Sequence, residues 1–309
     1  MTEVLIQTLP FFGVIALGYG AGRLGFFGAD ATAYLTRFVF YFALSAMLFR
    51  FAANLSFSEV LDWTFICAYL CGCISVYTIA TGVSSIQGKS LAEGAVEAQC
   101  ATIGNVGFLG IPMLVLLLGE PAIGPIMMVL AVDLVVFSSL IVILITASRD
   151  GKVGLRTLHT VGVGLLKNPM VVSISLGLIF SSLALKLPAP AEDFLSILGG
   201  AATPGALFAI GASLAGKSAE RISTALWLSF CKLGLHPLAA AVFAIWVFDV
   251  ETYAAGVMIA CAALPVAGNV FMIAQNYNVA PARASAAILL STVASIPTLP
   301  LVIAWVTSL

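Results

Sequence analysis

The sequence predicts an all-α membrane protein in which ten transmembrane helices form two inverted five-helix repeats, with crossed, broken fourth and ninth helices. Three observations predict this fold. Of the 309 residues, 61% are hydrophobic and 9% are charged, whereas soluble domains carry about 25% charged residues. Ten apolar segments are each near or above the ~20 residues that a helix needs to cross a bilayer. The fourth and ninth segments share a Gly-Asn-Val sequence flanked by glycine and proline.

The predicted spans leave no connector long enough for an inserted soluble domain. The first apolar run lacks the basic start and the cleavage site of a signal peptide, so we expect it to remain as an anchor. Residues 1–148 then form the first repeat, 149–168 a cytoplasmic connector and 169–309 the second repeat. The ten spans are 4–22, 32–53, 60–83, 91–118, 121–147, 169–187, 191–215, 222–248, 252–278 and 283–307.

Lysine and arginine predict the orientation, because cytoplasmic connectors carry an excess of them. With the N-terminus outside, ten of the 13 lie on the inner side, Arg50 and Lys186 lie on the outer side, and Lys232 lies within a span. Both termini are therefore expected on the non-cytoplasmic side. The inner set is Arg23, Arg37, Lys89, Arg149, Lys152, Arg156, Lys167, Lys217, Arg221 and Arg283.

The two halves repeat in collinear order. Pro10, Gly18, Ser45 and Phe49 correspond to Pro169, Gly177, Pro204 and Phe208 at an offset of 159; Trp63, Cys67 and Asn105 correspond to Trp227, Cys231 and Asn269 at an offset of 164. Each repeat has an odd number of spans, so the second must enter the membrane from the opposite side. Inverted repeats of this kind are related by a pseudo-two-fold axis in the membrane plane.

The two Gly-Asn-Val segments are predicted breaks, since glycine, proline and asparagine are poor helix formers. A broken helix in a bilayer needs its freed backbone groups buried in protein or lining a wet cavity. Where two broken spans cross, helix N-termini offer N–H groups and partial positive charge to a carboxylate. Ordinary kinks are the alternative, because glycine and proline are common in membrane helices. The candidate substrate-binding residues are Gly104, Asn105, Pro112, Pro265, Gly268 and Asn269, with Ser45 shaping the cavity.

Asp133 and Lys232 are the candidate ion-coupling residues. A lone carboxylate in mid-span costs at least ~2.5 kcal/mol on insertion scales, so Asp133 is expected to bind a proton, contact a substrate or cap a broken helix. Lys232 is one helical turn before His236; it pairs with Asp133, attracts an anion or has a structural role. His236 is expected to be a packed hydrogen bonder. Glu93, Glu97 and Gln99 are expected to be a solvated first turn.

The sequence carries no enzyme signature, and no cofactor or metal is expected. A His-Glu-x-x-His motif and a P-loop are missing, and the six cysteines lie in apolar segments without a zinc-ligand set. A net charge of −1 gives no reason to expect nucleic-acid binding. A transporter, a passive channel and a non-transporting membrane sensor are the classes that remain.

Several segments resemble the auxin efflux carrier family, which includes plant PIN-FORMED auxin exporters and bacterial malonate or malate permease-like proteins. Gly104-Asn105 with Gly110-Ile111-Pro112 is similar to the family's first crossover, and Leu264-Pro265 with the run from Val270 to Val279 is similar to its second. Residues 42–49 and 204–211 are similar to the second and seventh spans of bacterial members. The resemblance covers essentially the whole chain.

The resemblance implies a secondary transporter for a small organic anion, with a scaffold and a transport part that move relative to each other. It carries over Asn105 and Pro112 to the first crossing and Pro265 and Asn269 to the second. Val270 stands where plant exporters have a second proline, and the central connector is short, so a bacterial-type carboxylate permease of the inner membrane is favoured over an auxin carrier. The coupling ion (H⁺, Na⁺ or none) and the assembly (monomer or homodimer) stay open.

Overall fold

The computed structural model of the chain describes residues 2–55, 61–150, 154–216 and 222–309, and these residues are almost entirely helical. Lys152, Lys217 and Arg221 of the predicted inner set lie outside the described residues. Within the described ranges we number the helices α1 Thr2–Arg23, α2 Ala29–Asn54, α3 Trp63–Ile86, α4 Leu91–Thr102, α5 Val106–Leu118, α6 Glu120–Arg149, α7 Leu155–Lys167, α8 Pro169–Ser182, α9 Ala189–Ala215, α10 Ile222–Val247, α11 Thr252–Ala262, α12 Gly268–Asn276 and α13 Pro281–Val306.

The long apolar helices confirm the prediction of an all-α membrane protein. Six of the described helices, α2, α3, α6, α9, α10 and α13, are long and apolar enough to cross a membrane. The number rises to seven when the bent pair α7 and α8 is taken as one span. The ten-span arrangement remains a prediction at this point.

Both predicted helix breaks are present. The fourth predicted span is divided into α4 and α5 by the non-helical residues 103–105, and the ninth into α11 and α12 by residues 263–267. Pro265 lacks an N–H group and therefore cannot continue the hydrogen-bond ladder of α11. Gly104 has no Cβ, so the backbone can leave helical geometry easily where α4 ends.

The segment predicted as the connector, residues 149–168, is mostly a helix. Helix α7 occupies Leu155–Lys167 and meets α8 at a bend of 69°. Asn168 makes the bend, because its side chain accepts a hydrogen bond from the N–H of Met170 at 3.0 Å and caps α8. Pro169 suits the first position of α8, where no N–H is needed.

The helices pack as two bundles. Helices α1, α2, α8 and α9 form the first bundle, and α3 to α6 with α10 to α13 form the second. Small residues let the helices of the first bundle approach closely, as is usual in membrane proteins. A Cβ at Gly18 of α1 would lie 2.2 Å from the carbonyl oxygen of Phe208 in α9, and a Cβ at Gly177 of α8 would lie 2.7 Å from that of Phe49 in α2.

These two close contacts are reciprocal in sequence. Gly177 lies 159 residues after Gly18, and Phe208 lies 159 residues after Phe49. Each half of the chain thus supplies the glycine of one contact and the backbone carbonyl of the other. The contact between α1 and α9 consequently has a counterpart between α8 and α2.

Close packing at Gly18 predicts that Gly18→Ala destabilises the protein, by roughly 1–3 kcal/mol for an overpacked contact. Gly20→Ala is the matched control on the same helix, because a Cβ at Gly20 meets nothing within 4 Å. The midpoint of thermal unfolding in detergent measures both. A lower midpoint for Gly18→Ala alone is expected, whereas equal midpoints for the two variants would contradict the packing.

Candidate functional site

The two unwound segments pair with each other through their backbones. Gly104 and Val266 form an antiparallel bridge. The N–H of Asn105 donates to the carbonyl of Pro265 at 2.8 Å, and the N–H of Ala267 donates to the carbonyl of Ile103 at 3.0 Å. The N–H of Val266 donates to the hydroxyl of Ser291 in α13 at 3.1 Å. Backbone groups freed by the two breaks thereby satisfy one another inside the second bundle.

A cavity of about 60 Å³ lies against this crossing. Four helix ends surround it, because α4 and α11 end, and α5 and α12 begin, at the paired segments. Its walls combine the crossing with side chains of α2, α6 and α8. The lining residues are Phe40, Ile103, Gly104, Asn105, Gly107, Phe108, Leu130, Asp133, Leu134, Asn168, Met170, Ala267, Gly268 and Asn269.

A larger space of about 460 Å³ between α3 and α6 is a poorer candidate for a binding site. Its walls are mostly apolar and it opens widely on the surface that would face lipid. No charged side chain lines it; its polar groups are hydroxyls such as those of Thr78 and Ser85. The smaller cavity holds the amides and the carboxylate, so recognition of a polar solute belongs there.

The cavity presents several hydrogen-bonding groups without a protein partner. Asn105 is buried, and no side-chain hydrogen bond of it occurs within the described residues. The buried Oδ1 of Asn269 has no partner. Gly107 and Gly268 lie in the first turns of α5 and α12, where backbone N–H groups have no carbonyl of their own helix to bind. An incoming ligand can therefore meet amide groups and two helix N-termini together.

Asp133 also lines the cavity, and only half of its carboxyl group is satisfied. Its Oδ1 accepts a hydrogen bond from the hydroxyl of Tyr69 at 2.9 Å. Its Oδ2 is buried and has no hydrogen-bond partner among the described residues. Asp133 is 2% exposed, so this oxygen depends on a proton or a ligand for compensation.

Lys232 lies on the far side of the crossing and bonds to a helix end. Its ammonium donates to the carbonyl of Ala262, the last residue of α11, at 2.5 Å, and lies 3.0 Å from Nδ1 of His236. Lys232 is 0% exposed and forms no ion pair with Asp133 within 4.0 Å among the described residues. Of the alternatives left open by the sequence, the structure gives Lys232 a structural contact with the crossing.

His236 is a packed hydrogen bonder, as the sequence predicted. Its Nε2 lies 3.2 Å from Sγ of Cys73, while its Nδ1 faces the ammonium of Lys232. An ammonium can only donate, so Nδ1 accepts and Nε2 carries the hydrogen. The ring of Tyr69 lies 5.9 Å from the imidazole. Buried polar residues therefore run from Asp133 behind the crossing to Lys232.

Three of the candidate substrate-binding residues, Ser45, Pro112 and Pro265, do not line the cavity. The Ser45 hydroxyl donates to the carbonyl of Phe40 at 3.0 Å, and Phe40 lies within the π-helical turn Val39–Ala43. Pro112 lies in the second position of the regular helix that follows the π-helical start of α5. Pro265 is in the crossing and accepts the bond from Asn105, so its contribution is to the backbone pairing.

The structure adds cavity residues that the sequence gave no means to choose. Asn168 brings an amide from the start of α8, and Met170 covers Gly107, where a Cβ would lie 2.4 Å from the Met170 methyl group. The rings of Phe40 and Phe108 stack with an interplanar angle of 4° and centroids 6.2 Å apart. These pairs join the first bundle to the second at the mouth of the crossing.

Glu97 and Gln99 are buried, which corrects the expectation of a solvated first turn. Glu97 is 1% exposed and accepts hydrogen bonds from Lys89 at 2.7 Å and from Arg283 at 2.8 Å. Arg283 also bonds Glu93, so this network ties α4 to α13. Gln99 is 0% exposed, and neither end of its amide has a partner. The burial of Glu97 depends on Arg283, which lies 186 positions away in sequence, and a local sequence pattern cannot predict so distant a partner.

Within the described residues, no group of three or more histidine, cysteine, aspartate or glutamate side chains is placed to hold a metal ion. The amides and the carboxylate in the cavity are suited to a small polar solute. Apolar spanning helices with two paired breaks point to a polytopic membrane transport protein.

Comparison with known proteins agrees with that class. The family model described as "Membrane transport protein" matches residues 3–303. The chain belongs to this family, the auxin efflux carrier family.

Three relatives show the extent of the similarity. The chain is 29% identical to a "Putative malonate transporter" of Rhizobium meliloti, over 96% of this chain and 94% of the relative. It is 25% identical to the "Uncharacterized transporter YfdV" of Escherichia coli K12, over 97% of both chains. It is 29% identical to the "Lysosomal cholesterol signaling protein" of Mus musculus, over 70% of this chain and 26% of that longer protein.

The bond from Lys232 to the end of α11 predicts that Lys232→Met loosens the crossing. Removing one partner of a buried polar pair leaves the other unsatisfied, at about 1–3 kcal/mol. Hydrogen–deuterium exchange should become faster over residues 261–268. Lys167→Met, at an exposed position of α7, should leave that exchange unchanged. Unchanged protection in Lys232→Met would show that the lysine does not hold the helix end.

Proposed function

We propose that this chain is a secondary transporter that moves a small organic anion, such as a mono- or dicarboxylate, across the membrane by alternating access. The observation that carries the proposal is the cavity at the crossing, where the side chains of Asn105 and Asn269 meet the first turns of α5 and α12. The name of the Rhizobium relative, "Putative malonate transporter", supports a carboxylate as the substrate.

The chemistry of the cavity favours a carboxylate. Each helix start carries roughly half a positive charge together with free N–H groups, and two helix starts face the same space. Asn105 and Asn269 add amide N–H donors at equivalent positions of the two repeats. A carboxylate accepts several such bonds at once, so its two oxygens can be shared between the amides of the two segments.

The size of the cavity supports a closed state rather than an open pore. A volume of about 60 Å³ holds on the order of four water molecules, at ~10–15 Å³ of such space for each. A dicarboxylate needs more room than this, so the bundles must separate for it to enter. The contacts that would separate are Phe40 on Phe108 and Met170 on Gly107, since each joins the first bundle to the second.

A ten-span topology of two inverted repeats fits the helices better than six or seven spans. Besides the six clear spans, α1 has 22 residues and α8 is the bent pair's apolar member, while α4 with α5 and α11 with α12 each make one broken span. The reciprocal contacts of Gly18 with Phe208 and of Gly177 with Phe49 support inverted repeats. The lysine and arginine distribution supports an orientation with both termini on the non-cytoplasmic side, and a bacterial inner membrane is the location we propose.

Asp133 is the proposed coupling group. Its unpartnered Oδ2 faces the cavity that would hold the anion, and two negative charges at close range in a low dielectric repel strongly. A proton on Asp133 removes this repulsion and gives the carboxyl group a donor. Binding of the anion and binding of a proton should therefore favour each other.

Uptake of labelled malonate into proteoliposomes tests the transport function directly. We expect saturable uptake that a proton gradient accelerates and that a sodium gradient leaves unchanged. Uptake that rises linearly with malonate concentration would indicate a passive channel. Saturable binding without any uptake would indicate a sensor. Either result would overturn the proposal.

Substitution at the crossing predicts loss of uptake in a protein that still folds. Asn105→Ala and Asn269→Ala should each lower malonate uptake about tenfold or more, because a lost bond to a charged group is worth roughly 1.5–3 kcal/mol. The control is Asn276→Ala, at the exposed end of α12. Normal uptake by both crossing variants, at unchanged thermal midpoints, would show that the anion does not bind to Asn105 and Asn269.

Replacing Asp133 predicts a change in pH dependence. Asp133→Asn keeps the shape of the side chain but cannot gain or lose a proton, so uptake should no longer respond to a proton gradient. Uptake driven by the anion gradient alone should persist. The ratio of uptake with and without the proton gradient measures this, and an unaltered ratio would exclude Asp133 as the coupling group.

A further inference from the structure

Helix α7 has an exposed apolar stripe that no part of the described chain covers. Leu155, Leu158 and Leu166 are 85%, 55% and 77% exposed. They recur at spacings of three and eight residues and therefore lie along one side of the helix. On the side that packs against the protein, Thr157 is buried and Val161 is half-buried.

The opposite side of α7 is polar. Thr160, Gly164 and Lys167 follow one another at spacings of four and three residues, and all three are exposed. Residues 149–167 contain four lysines and arginines and one acidic residue, Asp150. An apolar stripe opposite a polar side in a basic stretch is typical of helices that lie in the membrane interface.

The bend between α7 and α8 gives α7 the shallow slope relative to the membrane plane that is expected of an interfacial helix. Thirteen residues of α-helix are about 20 Å long. When α8 follows the membrane normal, a bend of 69° makes α7 descend by only about 7 Å along its length. Interfacial helices bury their apolar face by about 5–10 Å. Asn168, at the lower end of α7, lines the cavity.

From these observations, we propose that α7 is an interfacial helix that inserts its leucine stripe into the cytoplasmic leaflet and holds anionic phospholipid headgroups with its basic side chains. A position inside the hydrocarbon is opposed by charge, because each lysine or arginine there costs ~2.5–3.5 kcal/mol or more. A position in water is opposed by the three exposed leucines. The proposal does not rest on the transported solute.

The depth of two labelled positions tests the insertion. In a Cys67→Ser, Cys71→Ser background, nitroxides are placed at Leu166→Cys on the apolar stripe and at Gly164→Cys on the polar side, where a Cβ meets nothing within 4 Å. In vesicles of equal parts phosphatidylcholine and phosphatidylglycerol, position 166 should be accessible to oxygen and position 164 to a nickel chelate. Two oxygen-accessible positions would make α7 part of a bent span, and two nickel-accessible positions would place it in water; either result overturns the proposal.

Charge reversal tests the headgroup contact. Lys167→Glu should weaken the apparent affinity of the protein for phosphatidylglycerol, measured by a native mass spectrometry titration, by at least about fivefold, since one basic residue near an anionic surface contributes about that factor in affinity. Lys186→Glu, an exposed lysine of the predicted outer side, is the matched control and should retain the wild-type affinity. Equal losses of affinity in both variants, or no loss in Lys167→Glu, would contradict a headgroup site on α7.

Discussion

The architecture depends on the backbone pairing between the two unwound segments. A break in a helix leaves N–H and C=O groups without partners, and in a bilayer each of these costs several kcal/mol. Here each segment supplies hydrogen-bond partners for the backbone of the other, through the bonds from Asn105 to Pro265 and from Ala267 to Ile103. Either break alone would leave backbone groups unpaired in the membrane. The cavity therefore depends on the two breaks lying side by side. Lys232 satisfies a further backbone group at the break, because its ammonium donates to a carbonyl at the end of α11.

The same constraint explains why polar residues cluster where they do. Asp133, Tyr69, His236 and Lys232 are all nearly or fully buried. Tyr69 bonds Asp133 and His236 bonds Lys232, and the rings of Tyr69 and His236 bring the two pairs together. Glu97 and Arg283 form a second buried network that joins α4 to α13. Within the second bundle these networks hold the half-helices in place, while the first bundle relies on close glycine contacts. The proposed alternating access would move the bundle that contains the crossing against the separate four-helix bundle.

The sequence predicted the features that come from local chemistry. Glycine and proline located both breaks, because they weaken the helix wherever they occur, and His236 was correctly expected to be packed. Contacts between distant residues were out of reach: the partner of Glu97 is Arg283, and the cavity residue Asn168 belongs to a segment read as a polar connector. Ser45 was placed in the cavity from its repeat position, yet its hydroxyl serves the neighbouring π-helical turn. The amphipathic pattern of α7 was present in the sequence, but the lysines and arginines around it led to the segment being interpreted only as a connector.

The most direct test of the account is the position of a bound anion. A structure of the protein in lipid nanodiscs with malonate should show one carboxylate group within hydrogen-bond distance, about 3 Å, of the amides of both Asn105 and Asn269. Malonate bound elsewhere, or crossing segments that stay paired with no anion between their amides at saturating malonate, would contradict the central claim.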